Sequence, residues 1–249
     1  QHCVRVLRMH EGDTVQCVDG RGRRYTCRIA LAHQKHTVLE VMDVEEQPRV
    51  WNADIAVAVA PTKHIDRMEW LVEKLTEIGV DRITPLRCDR SERKEINTER
   101  LRKIAVSAMK QSLKAVLPRV DEMTPIADYL SEAAADGEQR FVGYCDESRV
   151  QRMLLARSYR AGSPVRLLIG PEGDFSAREI DMCLQAGYTP VTMGDNRLRT
   201  ETAALVACDP IHIVNQLLET TKRLQANICN HRPAATCVVS PNLRKQSTV

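Results

Sequence analysis

The chain has 249 residues, of which 43% are hydrophobic, 28% charged and 4% aromatic, enough for one large domain or two modest ones around a real core. Its longest apolar runs, Ile55 to Ala60 and Ala203 to Cys208, fall far short of the about twenty residues that span a bilayer, and neither end carries the apolar core of a signal peptide. The 36 Lys and Arg exceed the 33 Asp and Glu, but five cations (Lys222, Arg223, Arg232, Arg244 and Lys245) follow the last acid, Glu219, and without them 31 cations face 33 acids, so bulk charge gives no reason for nucleic acid and local clusters must carry that argument.

Residues 1–47 read as short strands joined by turns. Val4, Val6 and Leu7 precede a Glu11-Gly12-Asp13 turn, and Val15, Cys17 and Val18 lead into Asp19-Gly20-Arg21-Gly22, a hairpin signal. Tyr25, Cys27, Ile29 and Leu31 alternate with period two, and His36 to Val44 supplies another strand. The pattern predicts a small all-β unit, a partial barrel. The chain begins at Gln1 inside this patterned segment, as a fragment would. Glu45-Glu46-Gln47-Pro48 leads into a linker over 48–53.

From Asp54 strands and helices alternate. Ile55 to Ala60 reads as a strand buried on both faces. Ile65, Met68, Leu71, Val72, Leu75 and Ile78 recur at helical spacing, with Gly79 as the stop. Arg82 to Leu86 is a second strand, Ile96 to Ala115 a long helix ended by Pro118, Pro125 to Ala135 a short helix and Arg140 to Cys145 a third strand. Val165 to Ile169 is a fourth strand, and Ser176-Ala177-Arg178-Glu179 is a capping box opening a helix that stops at Gly187. Thr189 to Met193 is a fifth strand, Thr200 opens the last helix, and a basic tail, read as disordered, occupies 221–249. The alternation predicts an α/β domain with a mostly parallel sheet over 54–220. Nine cysteines without a C-x-x-C pair suit a reducing cytosol; Cys229, His231 and Cys237 lack zinc-ligand spacing and read as incidental.

Two segments concentrate the candidate chemistry. Leu167 to Ile169 run into Gly170-Pro171-Glu172-Gly173-Asp174-Phe175 and the capped helix. Val191 to Met193 run into Gly194-Asp195-Asn196-Arg197-Leu198-Arg199 and the helix opened by Thr200 and Glu201. Both are strand, glycine turn and helix. In open α/β sheets ligands bind at the carboxyl ends of strands, and glycine lets a ligand approach the backbone. Two arginines just before a helix can hold an anion or polarise a carbonyl. A ligand-free connection, solvated arginines, or a hard-cation site on Glu172, Asp174 and Asp195 are the competing readings.

These segments resemble the two signature loops of the RsmE family, SPOUT-class 16S ribosomal RNA uridine-N3 methyltransferases. Glu69-Trp70-Leu71-Val72-Glu73-Lys74-Leu75-Thr76-Glu77-Ile78-Gly79-Val80, Arg90-Ser91-Glu92-Arg93 and Ala108-Met109-Lys110-Gln111-Ser112 are similar as well, and the resemblance runs from about residue 3 to about 217. It implies a trefoil-knotted SPOUT domain behind a PUA-like RNA-binding unit, an S-adenosylmethionine cofactor, a homodimer, and a uridine of 16S ribosomal RNA in the small ribosomal subunit as substrate; no metal is expected, and the cysteine pattern makes the expected location cytoplasmic. Cofactor contacts then fall on Leu168, Ile169, Gly170, Pro171, Glu172, Gly173, Met193, Gly194, Arg197, Leu198 and Thr200. Arg199 is the first catalytic candidate, stabilising a deprotonated uridine; Glu201 is the second, as a base or as a partner orienting Arg199. RNA contacts are expected from Arg5, Arg8, Lys63, Arg67, Arg90 and Arg93. The family pattern differs from this chain in having more sequence before residue 2, often glycine at Asp174, and nothing matching beyond about residue 220; Pro210 inside the last helix is expected to kink or end it. A non-catalytic ribosome-assembly factor on the same fold, or a sister enzyme acting on transfer RNA, would share these features.

Overall fold

The computed structural model of the chain describes residues 2–33, 36–47, 53–145 and 151–230. Three strands, β1 (Thr14–Val18), β2 (Arg23–Ala32) and β3 (Thr37–Glu46), form an antiparallel sheet in chain order. The hairpin between β1 and β2 closes because Asp19 Oδ1 accepts from the N–H groups of Arg21 at 2.7 Å and Arg23 at 3.1 Å, while Gly20 and Gly22 take φ values of 75° and 100° that side chains resist. His2–Val6, expected as a strand, form a π-helical turn instead. A strand needs a neighbour for its backbone groups, and this segment has none among the described residues; local helical bonds satisfy them.

The second unit alternates as its apolar runs predict. In chain order it comprises β4 (Ile55–Val59), α1 (Ile65–Ile78), β5 (Arg82–Arg87), α2 (Thr98–Gln111), β6 (Arg119–Val120), β7 (Thr124–Pro125), α3 (Ile126–Leu130), β8 (Gln139–Gly143), β9 (Met153–Leu154), α4 (Leu155–Ser158), β10 (Val165–Ile169), α5 (Ala177–Gln185), β11 (Thr189–Thr192) and α6 (Thr200–Asn230). The sheet runs β6-β5-β4-β10-β8-β11-β9, with β7 also on β5, and every pairing is parallel. Alternate residues of β4 and β10 face opposite layers. Ile55, Val57, Val59, Leu167 and Ile169 pack against α1, α2 and α6, and Ala58, Leu168 and Val142 pack against Ile126 and Tyr129 of α3 and Ile180 of α5.

The helix ends differ from expectation where side chains set them. Asn97 accepts from Arg100 N at 3.0 Å and starts α2 at Thr98. Its end comes at Gln111, well before Pro118, because Ser112 Oγ donates back to Ala108 O and Leu113 turns left-handed at φ 56°. α3 stops at Leu130, where Ser131 Oγ donates to Asp128 O. The last helix passes through Pro210 and continues to Asn230, beyond the boundary expected for the tail. Ala203, Ala204, Ala207, Cys208 and Ile211 are buried around the proline, so packing holds the helix across the missing hydrogen bond. The linker expected at 48–53, Ala53 apart, and residues 231–249 with His231 and Cys237 lie outside the described residues, as does the Cys229 side chain.

At the amino ends of the strands, Arg82, Arg140 and Arg166 are bound to carboxylates. Arg82 forks onto Glu132 at 2.6 and 2.7 Å, and Arg166 reaches Glu132 at 3.2 Å and Glu138 at 2.7 Å. Arg140 Nε meets Glu138 at 3.1 Å. The carboxyl ends of the strands are left to the loops.

Candidate active site

The parallel sheet delivers the loops after β4, β8, β10 and β11 to one edge. There the strand order departs from chain order, since β10 enters between β4 and β8, and a crevice opens at such a switch. The loops after β8, β10 and β11 line a single cavity of about 1000 Å³. From the first segment come Ile169, Gly170, Pro171, Glu172, Gly173 and Asp174; from the second come Met193, Gly194, Asp195, Asn196, Arg197, Leu198, Arg199, Thr200 and Glu201. The two segments singled out in the sequence therefore share one cleft.

Each loop is held by specific bonds. Phe175 folds over Gly170, so a side chain there would lie 3.0 Å from its ring. Glu172 Oε1 accepts from Lys63 N at 2.9 Å, tying the loop to the turn after β4. Asp174 takes φ 61°, a left-handed conformation suited to glycine and tolerated by Asp. Its carboxylate accepts from Phe175 N at 2.9 Å and from Cys145 N at 3.1 Å, which joins the β10 loop to the β8 loop. Ser176 and Glu179 complete the predicted capping box, and Glu179 also accepts from Asp89 N at 2.7 Å. These commitments leave Glu172 and Asp174 poorly disposed toward a hard cation. Across the cleft, Thr192 Oγ1 donates to Gly194 O at 2.8 Å. Gly194 has φ 128° and nothing within 4 Å of where a side chain would start, so its backbone is open.

The expected RNA-binding arginines divide. Arg90 Nη1 donates to Gly173 O at 2.9 Å, and Arg93 donates to Thr62 O at 3.3 Å and Lys63 O at 2.8 Å; both brace the cleft loops. Arg67 lines the cleft, with Nη1 3.6 Å from Glu201 Oε1. Lys63 is exposed on the turn after β4, and Arg5 and Arg8 are exposed before β1. Leu168 is not brought to the cleft: strand alternation buries it in the opposite layer with Phe175 and Val142. Arg199 is exposed in the cleft, and its side chain makes no hydrogen bond or ion pair to the described residues. Glu201 is only 7% exposed, and its Oε2 has no hydrogen-bond partner among the described residues. Its nearest cation is Arg67, not Arg199.

Sequence reasoning missed the third wall. Gly143, Tyr144, Cys145 and Arg152 line the cleft, and Arg152 Nη1 donates to Tyr144 O at 2.7 Å. Burial, and after it Asp174, push the Cys145 thiol up against the opposing charges of Arg152 and Arg197. The strand read at Arg140 to Cys145 was the available signal, since its carboxyl end had to open on the same edge as the other two.

A family model for the RNA methyltransferase domain matches residues 49–212, and one for the RNA methyltransferase PUA domain matches residues 1–41. Ribosomal RNA small subunit methyltransferase E of Bacillus subtilis (strain 168) is 27% identical over 227 residues, covering 87% of this chain and 88% of that protein. A crystal structure of a probable rRNA-methyltransferase from Porphyromonas gingivalis is 43% identical, covers 87% of this chain and 91% of that one, and superposes with a TM-score of 0.82. A methyltransferase from Legionella pneumophila in complex with the bound cofactor SAM is 28% identical, covers 86% and 88%, and gives a TM-score of 0.75.

Proposed function

The chain belongs to the RNA methyltransferase family, and from that premise we propose that it methylates N3 of a uridine in 16S ribosomal RNA of the small ribosomal subunit, with S-adenosylmethionine as donor. The observation that carries the reading is the meeting of three strand-end loops in one cleft, with Arg199 exposed there and uncommitted.

The cleft's chemistry suits that cofactor. Ile169, Val191, Met193 and Leu198 offer apolar walls for an adenine, and Gly170, Gly173 and Gly194 leave backbone groups near its edges. In this reading Ile169, Gly170, Pro171, Glu172, Gly173, Met193, Gly194, Arg197, Leu198 and Thr200 hold it, with Leu168 supporting β10 from behind. S-adenosylmethionine bound there supplies a methyl group activated by the sulfonium, so the protein's task is alignment and charge. Uridine N3 is a poor nucleophile until its proton leaves. Arg199 stabilises the anion spread over the base oxygens. Glu201 takes the proton through Oε2, an assignment supported by its place in the cleft lining and by that oxygen's lack of a hydrogen-bond partner among the described residues.

The reading treats residues 1–47 as the RNA-binding unit and 54–220 as the methyltransferase domain, threaded as a trefoil knot; β10 lying between β4 and the earlier strand β8 supports that threading. RNA meets Arg5, Arg8, Lys63 and Arg67, while Arg90 and Arg93 act through the loops they brace. Two copies pair through α6 and β9, where Ile213, Leu217, Met153 and Leu154 are exposed. A cytoplasmic location is supported by the free cysteines, among them buried Cys27, Cys88, Cys183 and Cys208. No described helix is long and apolar enough to cross a membrane.

The test is methyl transfer from labelled S-adenosylmethionine to undermethylated small ribosomal subunits, with nucleoside mass spectrometry. The expected product is 3-methyluridine in 16S ribosomal RNA, reduced at least ~100-fold in Arg199→Ala. Cofactor binding without any methylated nucleoside would overturn the reading in favour of a non-catalytic assembly factor.

A further inference from the structure

We propose that a second cavity, behind the cleft on the α3 and α5 side of the sheet, is a phosphate subsite for the RNA substrate's backbone. The proposal rests on the RNA-methylating reading and adds to it a place where the strand leaving the cleft is held. The cavity has a volume of about 460 Å³, and its walls include Arg87, Asp89, Lys94, Ile126, Arg178 and Glu179.

Its charge is unbalanced. Arg87, Lys94 and Arg178 are exposed, and none of their side chains makes a hydrogen bond or ion pair with a described residue. The arginines at the sheet's other end, Arg82, Arg140 and Arg166, are all matched to carboxylates. The two acids of the cavity are committed elsewhere. Glu179 is 2% exposed and accepts from Asp89 N and Ser176 N, each at 2.7 Å. Asp89 Oδ2 accepts from Ser176 Oγ at 2.6 Å. Burial first, and then Glu179, push the Cys88 thiol far up, so it adds no negative charge. Three cations against two carboxylates leave the cavity with a net positive charge, and the three cationic side chains have no ion pair among the described residues, which suits an anion of phosphate type.

The position fits a continuous strand. One wall begins at Ser176, where the cleft loop Gly170 to Phe175 ends. The other belongs to the segment from which Arg90 grips Gly173 O. The two cavities are thus joined by the loop Gly170 to Phe175 and the Arg90 segment, which places the cations next to the cleft along the chain. Phosphate contacts of this kind position RNA without reading its sequence.

The experiment measures binding of small ribosomal subunits and of a random-sequence single-stranded RNA to the full chain as a function of salt. It is repeated for Arg87→Gln/Arg178→Gln and for Lys94→Gln, with S-adenosylmethionine affinity measured in parallel. Each cation removed is expected to lower the magnitude of the log-affinity against log-salt slope by about one, for both RNAs, with cofactor affinity unchanged. Lys94→Gln carries the same expectation at half the size should the double variant fail to fold. Wild-type binding of RNA and cofactor with unaltered slopes in the variants overturns the subsite alone. Inorganic phosphate displaced by these substitutions while the RNA slopes stay fixed also overturns it, and assigns the cavity to a small anion. A wild-type chain that binds neither cofactor nor RNA overturns the methylating reading beneath it.

Discussion

Arg67 and Arg199 face the same cleft in different states. Arg67 lies 3.6 Å from Glu201, a carboxylate that is almost fully buried, whereas the Arg199 side chain has no partner among the described residues. A buried carboxylate without its cation is costly, so Arg67 and Glu201 should behave as one unit. Glu201→Gln is expected to lower kcat about 100-fold or more while leaving cofactor affinity near wild type. Arg67→Ala should then add little to it in a double-mutant cycle; full additivity of the two would show that the pair is not coupled. Asp174 presents a separate case. Its backbone is left-handed, and its carboxylate joins two loops. Asp174→Ala keeps the conformational cost and loses both bonds, while Asp174→Gly loses the bonds alone. The alanine variant is therefore expected to be about 1 kcal/mol less stable than the glycine variant in urea unfolding. Equal midpoints would mean that the φ value carries no strain. At both positions the residue types were legible in the sequence and their partners were not. Glu201 was read beside Arg199 because they are neighbours in the chain; the α1 helix brings Arg67 to it from far upstream.

Elements read locally came out close to expectation, and those that depend on distant neighbours did not. β4 is a continuous apolar run and β10 an apolar one broken only by Arg166 near its start, so both belong in the middle of a covered sheet. Gly79 at φ 102° and the Ser176 capping box are local chemistry and end or start their helices where read. Nothing local requires β10 to enter between β4 and β8, and without that order the wall formed by Gly143, Tyr144 and Cys145 cannot be seen. The ion-pair cluster at the opposite sheet edge is likewise assembled from separate elements, and it predicts an acid response. Hydrogen bonding from Arg82 outweighs burial and, with the charges of Arg82 and Arg166, holds Glu132 below its ordinary value of 4.5. A carboxylate depressed on folding contributes stability that is present above its unfolded value and is lost as pH falls through the folded one. Urea midpoints should therefore begin to fall below about pH 4.5 and continue falling as the pH drops further. In Glu132→Gln the stability at neutral pH is lower and the acid-dependent part of the fall is smaller. A fall of equal size in both proteins would remove Glu132 as its source.

The two units of the molecule meet through backbone, which determines how the β sheet is aimed. Gly22 N donates to Ala115 O at 2.9 Å, Leu117 N donates to Gly20 O at 2.9 Å, and Ala115 N donates to Gln47 Oε1 at 2.7 Å. Arg24 Nη2 adds a bond to Leu113 O at 3.1 Å. The contact thus uses the β1–β2 hairpin and the end of β3 on one side, and the segment between α2 and β6 on the other. Among the described residues no buried core cluster spans the two units, so hydrogen-bond geometry carries much of the orientation, and a polar side chain there matters more than its exposure suggests. Gln47 is the test of that argument. Gln47→Ala strands Ala115 N and loosens the sheet while leaving the cleft loops, α6 and the ion-pair cluster untouched. If the β unit guides RNA toward the cleft, the expected result is a KM for small ribosomal subunits raised several-fold, with cofactor affinity and kcat at saturating RNA near wild type. The carboxamide makes two hydrogen bonds, accepting from Ala115 N at 2.7 Å and donating to Leu113 O at 3.5 Å, each worth at most ~1 kcal/mol, which sets the scale of that rise. An unchanged KM would mean that the orientation of the β sheet is held without this bond, or that RNA reaches the cleft without its guidance; the Arg87→Gln/Arg178→Gln salt slopes then separate the two, because the second case leaves the cavity behind the cleft as the main hold on RNA.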